Sequence, residues 1–251
     1  MSTDFLRSAR EFLDLTYSLA TGPNLRQSKF GVILEGVFRK DYFTLETIIF
    51  LRNKIEEEPG GRLIFGGSIL DLSRRVLEDM VYMVYIKERD VVKYSERFMQ
   101  FDAVEQKRDF DFLVENGVSV EPQKMQIIQD RYSRVPEKLK DRNNWAGQSV
   151  EEVIAWLLEK GKLPAKEKDT LLKFYVLGNR KNHTSSSDIL NHSESDVLEE
   201  LSEHDVEIGL LITYGAALKV ALLLIDEVDC DEKLKSSLRS IWTSMGGRLA
   251  S

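Results

Sequence analysis

One cysteine in 251 residues, Cys230, cannot build an internal disulfide framework or a thiolate-rich metal site, and it fits a reducing compartment. No G-x-x-x-x-G-K-S/T phosphate loop and no H-E-x-x-H helix occurs, which removes those routes to nucleotide hydrolysis and zinc proteolysis. Histidine is scarce: His183, His192 and His204 are all there is. None follows an arginine with four to six residues between, the spacing by which some helical ribonucleases set a base and a phosphate-holding cation on one face; Arg180 stands only three before His183. His192, Glu194 and Asp196 are metal-capable types, but zinc or a hard cation needs further converging ligands, and acidic residues favour the first turn of a helix. No metal and no cofactor is expected. No run alternates apolar and polar residues with the period of a strand, and the five prolines all fall between periodic segments. An excess of basic residues is missing too: 35 Lys and Arg against 42 Asp and Glu give a formal charge of −7, which argues against nucleic acid as a partner. The start, MSTDFLRSAREF, contains no uninterrupted apolar run of the kind that opens a signal peptide, so a cytoplasmic location is expected.

What is present is helical periodicity, with 42% hydrophobic residues to supply a core. The central stretch, Gly66 to Lys87, carries two stripes. Ile69, Leu72, Val76, Leu77, Met80, Met83 and Val84 gather on one side, while Asp71, Arg74, Arg75, Glu78, Tyr82 and Tyr85 gather on the other. Ser68, with Asp71 three residues on, is placed as an N-cap. Before it, Met1 to Ala20 reads as an amphipathic helix and an appendage, and Phe30 to Glu58 as a long helix stopped by Pro59-Gly60-Gly61. After it come a helix from Val91 to Glu115 with the stripe Tyr94, Phe98, Phe101 and Val104, and a polar helix from Gln123 to Val135. A Ser149–Glu152 capping box opens a helix through Lys160, and another runs from Lys166 to about Asn182. Asp196 to Val228 is strongly apolar; its run Ile208 to Ile225 approaches a membrane span in length but contains Lys219, so a buried core helix is expected and no membrane. The expectation is an all-α, antiparallel helical bundle of about seven to nine helices: an N-terminal helix in residues 1–25, a bundle in 26–228, and a C-terminal helix and tail in 229–251.

Four of these pieces, in order, resemble a helical domain family of unknown function, number 5677 among such families. They are the R-x-x-x-E helix Arg74 to Glu78, Tyr94 with Arg97, Phe98 and Phe101, the W-A-G-x-S segment Trp145 to Ser149, and Phe174-Tyr175 followed by His183-Thr184-Ser185. The resemblance covers roughly Phe30 to His192 and departs at Val176, Asn179 and Asn182, where arginine, serine and an apolar residue are expected. It implies a helical fold and a set of candidate positions, and it implies no activity.

The candidate polar cluster joins Arg74, Glu78 and Tyr82 on the central helix to Asn179, Arg180 and His183 at the end of the Tyr175 helix. Arg74 and Glu78, four apart, can pair on one helix turn, and a carboxylate that also meets a histidine orients a titratable base. A cytoplasmic binding or regulatory module is therefore expected, with a polar inter-helix groove for a small anionic ligand or a partner protein. Two alternatives stand beside it. One is a ribonuclease-like phosphodiester hydrolase with His183 as base and Arg74 or Arg180 holding the phosphate; the other is a purely structural helical protein, including one that forms homo-oligomers.

Overall fold

A computed structural model describes residues 3–22, 28–58, 61–172, 174, 175 and 203–245 of the chain. The protein is all-α, with no strand among the described residues. In chain order the helices are α1 (Thr3–Thr21), α2 (Lys29–Glu57), α3 (Gly61–Glu88), α4 (Val91–Glu115), α5 (Pro122–Ser133), the single turn α6 (Glu137–Lys140) and α7 (Val150–Glu159). A 3-10 turn at Ala165–Glu167 leads into helical residues 168–172, 174 and 175, and α8 (Glu203–Glu227) and α9 (Glu232–Ser244) are the remaining helices among the described residues.

The fold is built on α2, α3 and α8, each packed on the other two. Ser28 caps α2 by accepting the Gly31 N–H at 2.9 Å. From there Phe30, Leu34, Phe38, Tyr42, Leu45 and Ile48 recur at three- and four-residue spacing, all buried, which turns one side of a helix ~43 Å long against the core. Three residues join α2 to α3, so these two packed helices are antiparallel. That turn requires glycine at 61, because a Cβ there would stand 2.9 Å from both Ile55 Cα and the Lys54 carbonyl oxygen.

α3 begins at Gly61, not at Ser68: the hydroxyl that read as an N-cap is exposed inside the helix. Gly66 and Gly67, which cost helix stability in isolation, are carried through because Gly66 is buried and the helix is held by its packing on α2 and α8. Other expected signals are found in place. Ser149 and Glu152 exchange both bonds of a capping box, and Asn116-Gly117 ends α4 with Gly117 at φ 74°.

α1 is a member of the core and not an appendage. Phe12 is fully buried and meets Tyr214 of α8 edge to face, with ring centroids 5.6 Å apart. α8 is long and apolar enough to cross a membrane by length and composition, and 72% of its most apolar window is buried inside the bundle.

Candidate functional site

The polar stripe of α3 divides along its length. Tyr85 is in the core, where its hydroxyl donates to Gln148 Oε1 at 2.7 Å, and Arg75 projects outward with 60% of its side chain exposed. Between them Arg74, Glu78 and Tyr82 are half-buried and form one wall of an open cleft of about 470 Å³. Lys40 and Asp79 line the same cleft, and Phe98 of α4 and Trp145 of the loop before α7 close its far side.

Arg74 is held from three directions. Its guanidinium donates to Glu78 Oε2 at 2.9 Å and to Asp71 Oδ1 at 3.5 Å, and it lies 5.9 Å from the centroid of the Tyr175 ring. The expected approach of the Tyr175 helix to this face of α3 is therefore present. The Glu78 carboxyl is raised above its ordinary range by burial, against the opposing pull of Arg74, and burial also raises the Tyr82 phenol. Asn179, Arg180 and His183 lie outside the described residues, so of the candidate cluster only Arg74, Glu78 and Tyr82 are described.

The aromatic wall is organised by Trp145. Tyr82 and Phe98 meet its ring edge to face at 5.1 and 5.3 Å, and Tyr94 and Tyr85 stand at 6.5 and 6.2 Å. The indole is only 6% exposed, so it reaches the cleft with one edge while the rest is packed. The Tyr94–Phe98–Phe101–Val104 stripe thus splits: Phe101 and Val104 are core, whereas Phe98 turns to the cleft.

One feature beneath the cleft escaped the sequence reading. Asp41 of α2 is fully buried and lies against the carboxyl of Asp79, which the Lys40 ammonium contacts from the rim. No other donor among the described residues reaches either Asp41 oxygen. Burial first, and the Asp79 charge second, push the Asp41 carboxyl well above the usual carboxylate range. Burial and the neighbouring Asp79 carboxyl thus both favour the protonated form of Asp41, while the Lys40 ammonium pairs with Asp79. The signal was in the pattern: Asp41 stands three residues after Phe38 and four before Leu45, on the apolar side of α2.

No family model, curated protein or solved structure matches this chain. Chemistry therefore has to be read from the geometry. Three cations, two ionisable acids and three aromatic rings converge on one opening, and among the described residues no group of three or more His, Cys, Asp or Glu is placed to hold a metal. Such a lining can hold a flat ring against Phe98, Trp145 and Tyr82 and offer positive charge to whatever that ring carries.

Proposed function

We propose that the protein is a binding or regulatory module whose cleft holds a small anionic ligand with a flat apolar part. The observation that carries this reading is the division of one open cleft into a cationic wall, Lys40, Arg74 and Arg75, and an aromatic wall, Tyr82, Phe98 and Trp145. Each cation already has a carboxylate partner within its own neighbourhood. The site is thus organised before a ligand arrives, and an anion would share donors whose positions are fixed, at little ordering cost. The raised Glu78 carboxyl favours the same ligand, since an acid that takes up a proton more readily repels an incoming anion less.

The test is ligand-observed NMR against a panel of aromatic anions, nucleoside monophosphates and indole carboxylates, with the neutral parent rings as controls. The anionic members give saturation transfer and the neutral ones lose it. Arg74→Gln weakens the best binder by roughly tenfold, the loss of about one charge-assisted hydrogen bond. Equal binding of charged and neutral rings, or an Arg74→Gln protein that binds like the parent, would sink the reading.

A further inference from the structure

Between Ile208 and Ile225 the one charged residue is Lys219, and the cleft beside α3 gives it no role. Its side chain is half-buried and leaves α8 toward a second pocket of about 270 Å³, lined by Met80, Lys162, Leu163, Pro164 and Trp242. The ammonium lies 5.3 Å from the centroid of the Trp242 ring. It makes no ion pair or hydrogen bond among the described residues, because the two acids in electrostatic reach are engaged elsewhere. Glu88 binds Lys162 at 2.7 Å and Asp226 binds Arg239 at 2.9 Å. Burial is the largest influence on Lys219 and lowers its proton affinity; the Glu88 and Asp226 carboxylates oppose it, and the Lys162 charge, a smaller influence, acts with burial.

A half-buried lysine without a direct carboxylate partner, opening on a pocket walled in part by Met80, Leu163, Pro164 and Trp242, has surroundings in which an amine becomes a nucleophile. We propose that Lys219 is a carbonyl-capturing amine whose pocket takes a small 2-oxo acid, with the carbonyl carbon at Nζ and the carboxylate toward Lys162. Met80, Leu163 and Pro164 suit a short apolar body, and a volume near 270 Å³ admits one. In the step itself the free amine of Lys219 attacks the carbonyl carbon and forms the C–N bond. The carbonyl oxygen gains the first proton that nitrogen loses, the hydroxyl of the resulting carbinolamine leaves as water with the second, and an imine remains. No oxidant or reductant enters, and hydrolysis reverses the sequence.

The experiment treats the full chain with pyruvate and sodium cyanoborohydride near neutral pH, then maps the reduced adducts by peptide mass spectrometry. Acetaldehyde serves as a neutral comparator. Lys219 is expected to label several-fold faster than the exposed Lys93 and Lys233, because burial disfavours its protonated form and leaves the amine free more often. In Lys219→Arg, which keeps the charge over Trp242, the preferential adduct disappears. In Lys162→Gln, pyruvate labelling of Lys219 falls several-fold while acetaldehyde labelling is kept. Labelling of Lys219 no faster than that of surface lysines in the wild-type chain overturns the proposal without any variant. Equal effects of Lys162→Gln on both probes overturn the assignment of the ligand as a 2-oxo acid.

Discussion

Asp41 is a carboxyl buried against a second carboxyl. Its pH linkage has a definite sign. An unfolded aspartate titrates near pH ~3.9, whereas the folded one holds its proton to higher pH. Between those two values the native state binds more protons than the unfolded state, so stability falls as pH rises through that window and is fully present below it. The slope for one proton is about 1.4 kcal/mol per pH unit. Asp41→Asn keeps the shape, cannot ionise, and is expected to flatten this fall while leaving the acid-side stability nearly unchanged. Urea midpoints measured from pH 4 to 9 check it, and parallel curves for the two proteins would show that Asp41 ionises as freely folded as unfolded. Arg74 and Glu78 were legible from their four-residue spacing alone. Asp41 was not, because an isolated acid on an apolar stripe does not show which residue of another helix it will face; only packing puts Asp79 beside it.

At the scale of the element, α3 shows where local signals decide and where they do not. The Ser149–Glu152 box and the end of α4 at Asn116-Gly117 are short-range features, complete within a few residues, and they form as the sequence reads. The start of α3 is different. Ser68 and the Gly66-Gly67 pair give the local appearance of a helix beginning, yet the helix runs through them because burial along α2 and α8 outweighs their unfavourable propensity. The two glycines at either side of this start respond in opposite ways. A Cβ at Gly67 meets nothing within 4 Å, so Gly67→Ala is expected to raise stability by about 0.5–1 kcal/mol through a smaller entropy loss on folding. A Cβ at Gly61 collides with the backbone of Ile55 and Lys54, so Gly61→Ala is expected to lower stability by more than that gain. Thermal midpoints of the two variants separate the cases, and a destabilised Gly67→Ala would mean that α3 is not a regular helix at its start.

Seen as a whole molecule, the bundle is held by long-range contacts that periodicity cannot specify. A 3.6-residue stripe states that a helix has a partner and leaves the partner open, which is why α1, with Phe12, Leu13 and Leu19 in its apolar stripe, reads as an appendage from the sequence. In the fold those side chains enter the same core as α2, α3 and α8, and the ring of Phe12 abuts Tyr214, whose phenol burial pushes up to about 12. α1 therefore packs on α2 and reaches α8 through Phe12, and removing that anchor should be felt by the entire bundle. Phe12→Ala leaves a large void at a fully buried position, which costs about 3–5 kcal/mol when the surroundings cannot collapse. Because the lost contacts belong to the common core, the transition is expected to move to lower temperature and remain single, with circular dichroism and tryptophan fluorescence melting together. A separate early transition carrying only α1's share of the helical signal, with the main midpoint unmoved, would show instead that the first helix folds as its own unit.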